Sequence, residues 1–160
     1  MLSIANATRM VQQVVISSSG ETTRAQMIRF VLLVGGGCSA VLLFFGFTSP
    51  GVAALAAFLG EHRELAAAVL PVVRIAAFFP LLLAAQNALQ GALIRDRRTW
   101  RVNAATLVGV VVALTLATTL VHAGGPGASS AAWAMMAGLA VEVLVLAHAT
   151  TRPQETSAKG

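Results

Sequence analysis

Residues 65–94, LAAAVLPVVRIAAFFPLLLAAQNALQGALI, residues 95–101, RDRRTWR, and residues 102–121, VNAATLVGVVVALTLATTLV, decide the fold of this chain. A bilayer core of about 30 Å is crossed by roughly 20 apolar residues in a helix. The first stretch is long enough and holds one charge, Arg74; the last holds none. The basic run between them leaves room only for a tight reversal. Two membrane-crossing helices in antiparallel succession are therefore expected, the first bent where Pro71 and Pro80 each remove a backbone donor.

Working outward, residues 30–47 are again free of charge, and a span over 27–48 is expected. Ser49, Pro50 and Gly51 punctuate the chain. Residues 52–59 are too few to cross and read as an interfacial or re-entrant turn. The cluster Glu61, His62, Arg63, Glu64 reads as a solvated loop. On the far side, Gly124 to Ser130 make a turn, and 131–150 form a fourth span carrying Glu142 and His148. The expected fold class is all-α, a polytopic membrane helix bundle with four transmembrane helices and an N-terminal amphipathic or truncated helix. Residues 1–150 read as one transmembrane helical domain and 151–160 as a disordered cytoplasmic tail.

Composition agrees. Of 160 residues, 57% are hydrophobic and 11% charged, with mean hydropathy +0.80, against about a quarter charged in a soluble domain. The net charge of +5 does not indicate nucleic acid, since no Lys/Arg run interleaves with aromatics and Tyr is absent. It reads instead as topology. Arg9, Arg24, Arg29, Arg95, Arg97, Arg98, Arg101, Arg152 and Lys159 all fall on one side of the expected spans, leaving Arg63 opposite and Arg74 within one. The positive-inside rule places both termini in the cytoplasm of a plasma-membrane protein. The single cysteine, Cys38, excludes an intramolecular disulfide or thiolate cluster. The three histidines are scattered, so no metal site is expected.

Ionisable side chains within the hydrocarbon cost ~3 kcal/mol or more on insertion scales and are functional candidates by default. There are two, Arg74 and Glu142. Counted from the start of their spans they lie roughly 14 and 16 Å deep at ~1.5 Å per residue, which predicts an ion pair or a shared polar cavity. Glu142 is the group expected to respond to protons or cations. Gln86, Asn87 and Gln90 form a second polar group towards the cytoplasmic end of their span, with Gln86 and Gln90 on one helical face. They can bind a neighbouring helix or a polar substrate. Gly35, Gly36 and Gly37 read as a helix-packing surface. Asn103 and Thr106 read as structural, and Thr115, Thr118 and Thr119 as hydroxyls bonded to carbonyls one turn earlier. No nucleophile, acid and base converge, so no enzyme and no organic cofactor are expected.

NALQGALIRDRRTWRVNAATLVGVVVALTLATTL, residues 87–120, followed by GGPGASSAAWAMMAGLAVEVL, residues 124–144, resembles the later helices of the multidrug and toxic compound extrusion type flippases and the related lipid and polysaccharide exporters. The matching features are Gln90 and Gly91 at a helix end, the basic loop Arg95 to Arg101, the turn Gly124 to Gly127 and the small-residue helix from Ala131. The resemblance implies ion-coupled export or flipping of an amphipathic or lipid-linked substrate, with H+ or Na+ as coupling ion. It also implies a two-lobed transporter of which this chain would be the last part, residues 5–18 being the inner end of a preceding helix. The partners expected are membrane lipids and either the other transporter half or a second copy. Two other readings stand beside it: a compact four-helix homodimeric proton-coupled exporter using Glu142, and a non-transporting membrane scaffold docked through Gly35 to Gly37 and residues 131–140.

Overall fold

The structure is a computed structural model that describes residues 24–60 and 63–151. The amphipathic or truncated segment expected near the N-terminus lies outside them, as does the expected tail 151–160 except for Thr151, which is helical. Among the described residues the fold is all-helical, in the order α1 (Arg24–Phe47), α2 (Ser49–Leu59), α3 (Arg63–Ala76), α4 (Phe79–Arg95), α5 (Thr99–His122) and α6 (Gly127–Thr151). Four stretches are long and apolar enough to cross a membrane: Ile28–Phe47, Glu64–Arg95, Thr99–His122 and Gly127–Thr151. These are the four expected spans, with ends moved by a few residues. Arg63 and Glu64 belong to α3 rather than to a loop, and α6 begins inside the expected glycine turn.

The long second span is two helices, and Pro80 rather than Pro71 divides it. Pro71 sits inside α3 without ending it. Pro80 stands in the first turn of α4, where its missing N–H costs nothing because first-turn donors have no intrahelical acceptor. The chain breaks just before it, at Ala77 and Phe78. The segment after Pro50 is likewise a helix, α2, not a turn. Thr48 is extended (φ −99°, ψ 145°) and caps α2 by accepting from the Gly51 N–H at 3.1 Å. Only glycine is possible at 51, since a Cβ there would overlap the Phe44 carbonyl. That close approach turns α2 back beside α1, so that Leu42 and Phe45 line a cavity with Ala54, Leu55, Phe58 and Val73.

The reversals after α4 and α5 share one hydrogen-bond pattern. Arg98 N donates to Leu93 O at 2.8 Å and Arg97 N to Ile94 O at 3.0 Å; Gly125 N donates to Leu120 O and Gly124 N to Val121 O, both at 3.0 Å. These are the paired bonds of a Schellman motif, which needs a left-handed residue after the helix. Gly124 supplies it with φ 78°, and Arg97 with φ 58°. Both motifs reverse the chain within a few residues, so that α5 runs back against α4 and α6 back against α5.

Helix α6 is central. It packs along α5, its most extensive contact, and on its other side against α3 and α4; α1 lies across α3 and α4. In the most apolar window of each span, 33% of α6 is buried inside the protein against 11% for α5, so α5 turns most of its surface outward. The apolar core, Leu93, Val102, Ala105 and Leu146, joins α4, α5 and α6 at the end bearing the basic loop. Elsewhere helices meet through small residues. A Cβ on Gly35 would lie 2.9 Å from Ala84 Cβ and from Leu81 Cα, so α1 and α4 approach backbone to backbone. Gly36 and Gly37 meet nothing within 4 Å, so one glycine of the expected three packs on a neighbour.

Candidate functional site

Glu142 lies in the middle of α6 and is 5% exposed. A carboxyl group in that position needs hydrogen bonds, because burying it without partners costs several kcal/mol. Two are supplied from neighbouring helices: Gln90 Nε2 of α4 donates to Glu142 Oε1 at 3.0 Å, and Thr106 Oγ1 of α5 donates to the same oxygen at 2.7 Å. The three side chains thus tie together α4, α5 and α6.

The second carboxyl oxygen has a different setting. A Cβ on Gly109 would stand 3.2 Å from Oε2, 3.0 Å from Glu142 Cβ and 2.9 Å from the Gly138 carbonyl. A Cβ on Gly138 would stand 2.6 Å from the Gly109 carbonyl and 2.7 Å from Ala113 Cβ. Helices α5 and α6 therefore touch through two facing glycines, one helical turn from the carboxyl group. Because both donors use Oε1, a proton can be added to or removed from Oε2 while both interhelical bonds persist. The acceptor role of Oε1 is the same in a carboxylate and in the carbonyl of a carboxylic acid.

Arg74 is not part of this site, and the expected pairing with Glu142 is corrected. Arg74 Nε donates to the Gly46 carbonyl at 2.8 Å, and its guanidinium sits 5.5 Å from the Phe47 ring centroid. Gly46 lies in the last turn of α1, and four residues on stands Pro50, which has no N–H to offer its carbonyl. A cation there also opposes the negative end of the helix dipole. Equal depth along two spans did not bring the charges together, because depth says nothing about which way a side chain points around its helix. Among the described residues, no Arg or Lys forms an ion pair with Glu142; the single ion pair there joins Arg95 to Asp96 at 3.9 Å.

Of the three amides on α4, Gln90 alone reaches Glu142; Asn87 is buried and Gln86 half-buried on the same helix. Thr106, read from the sequence as structural, is a direct partner of the carboxyl group. The available signal was spacing. Thr106 and Gly109 are three apart and Gly138 and Glu142 four, so each pair shares a helical face. Thr115, Thr118 and Thr119 bond carbonyls of their own helix, as expected. His122 does the same, with Nδ1 2.7 Å from Thr118 O, and His62 lies outside the described residues. Among the described residues, no three His, Cys, Asp or Glu side chains cluster as a metal site would need.

Compared with known proteins, the chain matches no family model, no curated protein and no solved structure.

Proposed function

We propose that this chain is a membrane transport module, part of an ion-coupled exporter or flippase, in which Glu142 takes up and releases the coupling proton. One observation carries the reading: a buried mid-span carboxyl group, held by two neutral donors on one oxygen, with no cationic partner among the described residues. A carboxylate kept only for helix packing is best served by a permanent counter-charge, since an uncompensated buried charge is strongly destabilising. Here the charge can instead be removed by protonation without loss of the Gln90 and Thr106 bonds. The resemblance of residues 87–144 to multidrug and toxic compound extrusion type flippases supports the same class of function and an amphipathic or lipid-linked substrate.

The test is proton flux in proteoliposomes carrying an imposed pH gradient and an entrapped pH dye. Glu142→Gln keeps the shape and can still accept from Thr106, but cannot exchange a proton. Flux above that of empty vesicles that falls to the empty level in Glu142→Gln supports the reading. Flux unchanged by the substitution, or none in the parent protein, overturns it.

One observation favours a second reading, a membrane assembly subunit: Gly36 and Gly37 form an open small-residue surface on α1. Native mass spectrometry in detergent distinguishes a complex lost in Gly37→Leu from one unaffected by it.

A further inference from the structure

At the end of the bundle opposite the α1–α2 turn, a groove of about 260 Å³ opens between α5 and α6, lined by Trp100, Arg101, Ala104, Val145, His148 and Ala149. At ~30 Å³ per water molecule this is space for roughly nine waters, enough for a phosphodiester group and part of the glycerol that bears it. The groove has a polar and an apolar part. Arg101 and His148 supply nitrogen donors, while Ala104, Val145 and Ala149 continue into the outward faces of α5 and α6.

Arg101 is held rather than loose. Its Nη1 donates to the Ala149 carbonyl at 2.9 Å and its guanidinium lies 5.6 Å from the Trp100 ring centroid. One donor and one face are thereby committed, and a guanidinium has five N–H groups in a planar fork suited to phosphate oxygens. Trp100 is 69% exposed beside it. An exposed indole at the end of a membrane-length helix is the side chain enriched at the level of lipid headgroups. The surroundings carry the complementary charge. Arg95 and Arg97 stand in the same basic run as Arg101, with Asp96 beside Arg95 at 3.9 Å.

We propose that this groove is a binding site for the phosphate headgroup of an anionic phospholipid, with Arg101 and His148 holding the phosphate, Trp100 at the headgroup level, and the acyl chains following α5 and α6 outward. Basic pockets between membrane helices are suited to such headgroups. A lipid, rather than free phosphate, is assigned because the groove continues into apolar helix faces, which an acyl chain can cover and free phosphate cannot. Glu142 does not line the groove; it stands six residues before His148 on α6.

The experiment uses Trp100 as reporter, in Trp133→Phe, which removes the other tryptophan of the chain. The protein is reconstituted in phosphatidylcholine vesicles containing one tenth brominated lipid, either phosphatidylglycerol or phosphatidylcholine. Quenching at least two-fold greater by the brominated phosphatidylglycerol is expected, with the preference abolished by His148→Gln and by Arg101→Gln. Because Arg101→Gln also removes a bond to α6, Ala104→Phe provides a second variant that fills the groove and leaves that bond alone; it too must abolish the preference. Equal quenching by the two lipids overturns the proposal, as does a preference that survives Ala104→Phe. A Trp100 response of the detergent-solubilised protein to millimolar inorganic phosphate equal to that seen with lipid overturns the lipid assignment.

Discussion

Around the junction of α1 with α3 and α4, Ser39 and Arg74 bond backbone groups that helix ends leave open, whereas at the junction of α4, α5 and α6 the side chains of Gln90, Thr106 and Glu142 bond one another. Ser39 Oγ accepts from Leu81 N at 3.2 Å, a first-turn donor of α4 just past Pro80, and Arg74 supplies the donor that Pro50 cannot offer Gly46. Each polar group there mends a defect made by a proline or a helix terminus. Arg101 on Ala149 is of the same kind, for Ala149 stands four residues before Pro153. The cluster around Glu142 mends nothing: α4, α5 and α6 run through it with their own ladders, and an apolar trio would leave no backbone group open. Polar groups in the first region are explained by the fold; the carboxyl group in the second is not, which makes it the functional candidate.

The comparison can be broken by substitution. The largest effect is expected at the glycine contact beside the carboxyl group. Gly138→Leu drives a side chain into the Gly109 carbonyl and Ala113, and should lower stability by ~3 kcal/mol, the upper end of overpacking costs, read as the loss of folded protein in a thermal scan in detergent. Next comes Arg74→Met, which leaves the Gly46 carbonyl without its donor. A loss of ~1–3 kcal/mol is expected, with proton flux through the remaining folded protein unchanged. Flux that disappears with Arg74 would dissolve the distinction between the two regions.

Thr106→Val removes one interhelical bond of a kind worth ~0.6 kcal/mol on average in membrane proteins. Its stability cost should therefore be small, while proton flux falls because one of the two donors to Oε1 is gone. A stability loss as large as that of Arg74→Met, with flux through the remaining folded protein unchanged, would mark the cluster as structural. Opposite in sign, Gly36→Ala points into open space and should be neutral or stabilise α1 by a few tenths of the ~1 kcal/mol that separates Gly from Ala in helix propensity, in contrast to Gly35→Ala, whose Cβ meets α4 at 2.9 Å.

Much of the architecture is legible in the sequence. Runs of bilayer length with at most one charge locate four spans within a few residues, and the glycine turn at 124 and the basic run at 95–101 locate two reversals. The site is legible only in part. Glu142 stands out as a charge in an apolar helix, and Gln90 as an amide on a shared face, but Arg74 looks like its partner on depth alone. The sequence also contains an overlooked rule, that a carbonyl four residues before a proline lacks its helical donor, which marks Gly46 and Ala149 as places where an arginine is wanted.

Hydropathy and length determine that this chain forms membrane-length helices, because removing apolar surface from water and keeping backbone hydrogen bonds internal depend on composition along the chain and little on neighbours. Which faces meet is a different matter. Between membrane helices the outward and inward faces are almost equally apolar, so contact is selected by shape and by scarce hydrogen bonds rather than by hydrophobicity. Only the tertiary structure could therefore decide that Gly109 lies on Gly138, that Glu142 bonds Gln90 and Thr106, and that Arg74 serves the end of α1.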